Sequence, residues 1–268
     1  MNRDNFPLVI RTYVTSHRCL QQLFTLLRAS FTGFWLGILG RDTIYLIDKY
    51  YYDSQKRYHE QGYNRGGLFT WEHKVIDTYF NQCKRILVGG AGGGREVLAL
   101  CKLGYEVDGF ECHPELAAFA NKVLKKEGLL AKVQLVPRDE CPNSNKMYNG
   151  LIVGWGVYMH IQGKKKRITF LKNMRAKVFQ QSPILVSFYY RNQNARYFRV
   201  TAAIANGLRW ILGRSPVELG DSLDPNYAHN FTEAEISEEL RQGGFEIISY
   251  KSEEYGHAVA VASDTEGS

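Results

Sequence analysis

Apolar and polar positions along the chain change period several times, and the changes outline alternating helices and strands. Leu20, Leu23, Phe24, Leu27, Phe31, Phe34, Trp35 and Ile38 recur at steps of three and four, the period of an amphipathic helix. Residues 69–80 predict another helix, with Thr70 as N-cap and Glu72 and His73 in its first turn. From there short apolar runs at 86–88, 107–111, 133–136, 151–153 and 183–188 read as strands. Helical patterns at 95–103, 114–128 and 167–179 separate them, with Pro114 suited to a first helical position and Gly104 and Gly128 closing two of them. Strands alternating with helix-length segments predict a parallel α/β sheet. The alternation breaks at about 190–230, where Arg191, Arg196, Arg199, Arg209 and Arg214 sit among Tyr197, Phe198 and Trp210. That connection is too long for an ordinary loop and predicts a helical cap. Thr232 and Glu235 then form a capping box ahead of Ile236 and Leu240.

The first strand runs into Gly90, Gly92 and Gly94, a GxGxG turn followed at once by a helix. Glycines there let backbone N–H groups approach a ligand closely. Glu111 closes the second strand seventeen residues after Gly94. This spacing predicts a nucleotide-binding βαβ unit whose carboxylate accepts the ribose hydroxyls. Asp139 ends the third strand, and the fourth opens into the loop Gly154-Trp155-Gly156.

In this order the chain resembles the class I S-adenosylmethionine-dependent methyltransferases over about residues 80–262. Two positions depart from the family pattern: Val88 stands where many members carry an acid, and Asn149 where the fourth strand usually opens with Asp. The resemblance implies a three-layer Rossmann-like α/β fold with a mostly parallel seven-stranded sheet, closed by an antiparallel pair at 245–250 and 257–262. Residues 1–80 would form a helical cover over the active site, and 81–268 the core with its cap insertion. It implies S-adenosylmethionine as cofactor, held by Gly90, Ala91, Gly92, Gly94, Glu111, Cys112, Asp139 and Trp155. Tyr158 and His160 fall on the substrate side, with His160 as the expected general base and Tyr158, then His229 and His257, behind it.

Composition narrows this picture. A chain of 268 residues, 44% hydrophobic and 13% aromatic, buries a substantial core. Five scattered cysteines without a CxxC pair argue against a zinc site or a disulfide framework, and fit a reducing, cytoplasmic setting. No carboxylate cluster near the fourth strand suggests a catalytic metal. Neither a signal-type apolar run nor a membrane span is evident, since the apolar stretch 31–39 is too short. The net charge of +7 is uneven: residues 81–190 hold 17 Lys/Arg against 8 Asp/Glu, and 229–268 hold 2 against 9. The loop after the fourth strand lacks the Asn/Asp-Pro-Pro-aromatic and Pro-Cys signatures of nucleic-acid methyltransferases. A small-molecule acceptor methylated at oxygen is therefore expected, and nucleic acid is not. The competing readings are a membrane-surface enzyme docking through 31–39, an RNA or protein methyltransferase using the basic middle, and an NAD-linked or non-enzymatic module. Oligomeric state is left open.

Overall fold

A computed structural model describes residues 6–192, 195–252 and 255–263. The predicted strands become β1 (Arg85–Gly89), β2 (Glu106–Glu111), β3 (Val133–Leu135), β4 (Gly150–Val153) and β5 (Pro183–Tyr190). They lie parallel in the order β3-β2-β1-β4-β5. Between them run α5 (Arg95–Lys102), α6 (Pro114–Lys126) and α7 (Lys164–Arg175). After α9 (Glu233–Gln242) the chain closes with β8 (Phe245–Lys251) and β9 (Gly256–Ala262), β9 running antiparallel to β5.

Period-two alternation in the strands splits the core between the two faces of the sheet. Leu87, Leu151, Val153, Ile184 and Val186 pack under α7 and α9, against Phe170, Leu171 and Leu240. Ile86, Val88, Ile152 and Leu185 pack on the other face against α5, α6 and α4 (Thr70–Tyr79). Helix α4 begins one residue from its expected cap: Phe69 holds the N-cap position, and its backbone N–H donates to Glu72 Oε2 at 2.7 Å.

Among the described residues the sheet has nine strands, two beyond the expected seven. The segment between β5 and α9 holds the expected helix, α8 (Arg196–Ile211), and also a hairpin, β6 (Asp221–Leu223) and β7 (Tyr227–Phe231). The hairpin joins the sheet because β5 outruns β9: Pro183 to Phe188 pair with β9, whereas Tyr189 and Tyr190 pair with β7. Its strands are short and rich in polar side chains, so they carry no alternation that a sequence pattern could register.

Before β1 the chain forms α1 (Leu8–Ile38), α2 (Arg41–Ser54), a 3-10 turn (Lys56–His59) and α3 (Gln61–Arg65). Helix α1 packs on α8, where a Cβ at Gly33 would lie 2.8 Å from Thr201 O and one at Gly37 2.8 Å from Leu208. The glycines let the helices approach closely. Its stripe of Leu20, Leu23, Phe24, Leu27, Phe31, Phe34 and Trp35 stays exposed, and does not roof the active site. Arg167, in the first turn of α7 beside three lysines, is buried. It donates to both Glu239 oxygens, at 2.9 and 2.7 Å, and to Glu218 at 2.6 Å. Only such paired acceptors make a buried guanidinium tolerable.

Candidate functional site

At the carboxyl end of β1 the chain turns through Gly90 and Gly94, both with positive φ (64° and 92°), into the start of α5. A Cβ on Gly90 would meet Val157 Cγ2 at 2.3 Å, so backbone conformation and space both demand glycine. Glu111, at the end of β2, is buried, and its Oε2 accepts the Gly92 N–H at 2.8 Å. Its Oε1 accepts the N–H groups of Cys112 (2.7 Å) and His113 (2.9 Å). Backbone amides thus fix the carboxylate, while its remaining lone pair is available to a ligand. Burial and the Glu111 charge push the Cys112 thiol up to about 12, which removes it as a nucleophile near neutrality.

These elements floor a cavity of about 970 Å³, its open mouth included, at the carboxyl end of the parallel strands. Gly90, Ala91, Gly92, Glu111, Cys112, Asp139, Trp155 and His160 line it together. Gly94 lies behind that wall, with Ala120 of α6 3.1 Å from where its Cβ would stand. Trp155 forms one wall, edge-to-face with Tyr255 at 5.2 Å and Phe69 at 6.2 Å. Tyr158 is not in the cavity. It is fully buried on the far side of its 3-10 turn, where its hydroxyl donates to Glu239 at 2.6 Å and its ring stacks on Phe231. The hydroxyl belongs to the Arg167 cluster and cannot reach a substrate.

His160 faces inward. Its Nδ1 lies 2.5 Å from Tyr227 O, and its Nε2 2.9 Å from Tyr52 Oη. A carbonyl only accepts, so Nδ1 carries the proton and Nε2 accepts from the tyrosine. Desolvation pushes the imidazole down to about 4 and pushes the half-buried Tyr52 up. His229 and His257 stand away from the cavity lining. The first is bound to Asp221 at 2.7 Å, and the second stacks on Trp71 at 4.7 Å.

Asp139 reaches the cavity from a strained left-handed backbone (φ 63°). Its Oδ2 accepts from Tyr45 Oη at 2.6 Å and Lys166 Nζ at 3.3 Å. Next to it Arg138 stacks over the Tyr45 ring at 4.3 Å and donates to Asp48 at 2.5 Å. Burial raises Asp48 to about 6 against the pull of Arg138.

Asn64 and Arg138 line the cavity and carry no signal in the sequence pattern. The roof comes from α2, the 3-10 turn and α3, which contribute Tyr52, Tyr58, Tyr63 and Asn64. Five tyrosines between 48 and 63 mark this segment in the sequence. The roof is pressed onto the glycine turn: a Cβ on Gly93 would meet Asn64 Oδ1 at 2.4 Å and Tyr58 O at 2.5 Å. Arg95, at the start of α5, donates to Glu72 at 2.6 and 2.8 Å and to Glu96 at 2.6 Å, which ties α4 to the turn. Two buried polar atoms of cavity residues have no protein partner, the acceptor Asn64 Oδ1 and the donor Arg138 Nε. Among the described residues, Glu111–Cys112–His113 and Glu218–Asp221–His229 are grouped closely enough for a cation. Their carboxylates already serve backbone amides in the first group, and His229, Tyr227 and Arg167 in the second.

No family model and no curated protein matches the sequence. Solved structures do. A methyltransferase from Methanosarcina mazei described as SAM-dependent aligns with a TM-score of 0.58 at 18% identity, covering 74% of this chain and 99% of its own. The 1,6-didemethyltoxoflavin-N1-methyltransferase of Burkholderia thailandensis, solved with its substrate and S-adenosylhomocysteine, aligns at 0.59 and 14% identity over 85% of this chain and 92% of that one. An amino pentose methyltransferase from Micromonospora echinaspora, bound to SAM, aligns at 0.53 and 12% over 75% and 94%. The fold is that of the class I S-adenosylmethionine-dependent methyltransferases. A methyltransferase fold accounts for the seven strands β3-β2-β1-β4-β5-β9-β8 and for the glycine turn and acid at the ends of β1 and β2. The β6–β7 hairpin is the addition this chain makes to them.

Proposed function

We propose that the protein is an S-adenosylmethionine-dependent methyltransferase that acts on a small-molecule acceptor, at oxygen. The observation that carries this reading is the Glu111 carboxylate, held by three backbone amides beside the glycine turn at the floor of a roofed cavity. The cavity residues fit the cofactor. Glu111 would take the ribose hydroxyls, and Asn64 Oδ1, a buried acceptor without a partner, would take the ammonium of the methionine moiety. When bound, the cofactor supplies an electrophilic methyl group on a sulfonium. The chain's own task is to hold the acceptor in line, keep water out and remove a proton.

Tyr52 and His160 are arranged for the last of these. An acceptor hydroxyl would donate its proton to Tyr52 Oη as the tyrosine passes its own to His160 Nε2, so Tyr52 ends unchanged and His160 holds the charge. The His160 Nδ1–H bond to Tyr227 O keeps the lone pair of Nε2 aimed at the tyrosine. The enclosing roof of Tyr52, Tyr58 and Tyr63 favours a small acceptor over a polymer.

Titration calorimetry in EDTA, with S-adenosylmethionine and NAD in parallel, tests the assignment. Micromolar binding of the first and no heat from the second is the expected result. Binding of NAD alone would overturn it.

A further inference from the structure

Helix α1 is 31 residues long, about 46 Å at 1.5 Å per residue. At 100° per residue, Ala29, Thr32, Gly33, Leu36 and Gly37, its buried positions, fall on the face toward α8. Leu20, Leu23, Phe24, Leu27, Phe31, Phe34 and Trp35 fall on a different face about 120° wide, and each is between 37% and 65% exposed. From Leu8 to Leu27 every position is exposed except Leu26, and Arg28 makes an ion pair to the body, with Asp224. Where α8 ends beside the end of α1, Trp210 and Ile211 are 83% and 72% exposed. Soluble surfaces rarely show so continuous an apolar stripe without a partner.

The two helices themselves carry only basic charge, and Arg28 is paired with Asp224 from the β6–β7 turn. Neither α1 nor α8 contains an acidic residue, whereas Arg11, Arg18, Arg28, Arg196, Arg199 and Arg209 lie on them. At the α1–α2 junction, Arg41 comes within reach of Gly163, next to the exposed Lys164 and Lys165. A second copy of α1 laid on this stripe would set one basic helix against another. A surface of lipid phosphates answers both the charge and the apolar face.

We propose that α1, together with the end of α8, docks in the plane of an anionic bilayer surface. The apolar stripe enters the headgroup boundary, and the basic charge of the two helices draws this surface to lipid phosphates. No single helix among the described residues is long and apolar enough to cross a membrane, and α1 and α2 are so only as a pair bent by 119° at their junction. The inference stands on this surface and not on the cavity, so it holds or fails separately from the methyltransferase reading.

The test is co-sedimentation of the full chain with phosphatidylcholine vesicles, with and without phosphatidylglycerol. The chain should sediment with the anionic vesicles and dissociate in 1 M salt, where screening shortens from about 10 Å to about 3 Å. A triple variant Leu23→Ser, Phe24→Ser, Phe31→Ser should bind at least ~10-fold more weakly, since it removes three large apolar side chains from the stripe. Arg18→Glu, an exposed change that leaves the stripe intact, should also weaken binding. Circular dichroism and light scattering on the same samples check folding and mass. Equal binding to neutral vesicles, or no binding to either, overturns the proposal. So does a concentration-dependent dimer that the triple variant dissolves while the wild type ignores vesicles, which would assign the stripe to a second copy.

Discussion

Tyr52 Oη donates to His160 Nε2 at 2.9 Å, across 108 positions of sequence, and so links the roof of the cavity to the loop after β4. The two side chains should behave as one unit. His160→Ala and Tyr52→Phe should each lower turnover by about 10²-fold, the scale of lost general-base catalysis, and the double variant should be little worse than either. Cofactor affinity should hold in all three. The pH–rate profile should lose its acid limb only near 4, where burial places His160, well below the ordinary histidine range. Wild-type turnover in Tyr52→Phe would remove the relay.

Glu111→Ala should weaken cofactor binding by about 1.5–3 kcal/mol, the worth of charge-assisted hydrogen bonds. Asp139→Ala should cost the cofactor less, because Tyr45 and Lys166 already share its Oδ2. Calorimetry on both folded variants ranks them, and the reverse order would mean that Asp139, and not Glu111, carries the ribose.

Gly93→Ala should lift the roof. The new methyl would sit 2.4 Å from Asn64 Oδ1 and 2.5 Å from the Tyr58 carbonyl, one of them backbone, so the segment must move. Protease should then cut within 55–65 faster than in the wild type, and the affinity for S-adenosylmethionine should fall. Unchanged cleavage would show that the roof is not seated on the turn.

His160 should also make the fold acid-sensitive. Its native pKa, about 4, lies below the ordinary 6.5, so the unfolded chain takes up the proton first. The stability this gives is full above about 6.5 and is lost as pH falls toward 4, roughly 3 kcal/mol in all. Asp48, raised to about 6, works in the opposite direction, losing stability as pH rises from 3.8. Comparing urea unfolding of wild type and His160→Gln cancels the Asp48 contribution, because both proteins carry it. The wild type should lose ground to the variant between pH 6.5 and 4, and a pH-independent gap would count against a neutral buried imidazole.

The alternation from Ile86 to Val186 is legible because β1, β4 and most of β5 are buried on both faces and so read as short apolar runs. The glycine turn and Glu111 are legible for a different reason: backbone conformation and carboxylate chemistry leave few substitutes. What sequence periodicity cannot supply is direction. The stripe of α1 has the period of a core-facing helix, yet Gly33 and Gly37, on another face, make the contact with α8. Tyr158 and His160 are two residues apart, and the 3-10 turn sends one into the Glu239 cluster and the other into the cavity. Arg167 looks like the end of a lysine run, and only the distant Glu218 and Glu239 explain its burial. The β6–β7 hairpin depends on where β5 outruns its partner, a fact of register with no local signature.

Thr201 donates to Ala29 O in the α1–α8 pair from 172 positions further along the chain. During synthesis α1 therefore leaves the ribosome early, and waits while most of the sheet is made before α8 emerges to cover its glycine face. Throughout that interval both faces of the helix are bare. Yield in the cell should thus depend on what holds a nascent amphipathic helix, a chaperone or a lipid surface, more than on the stability of the finished protein.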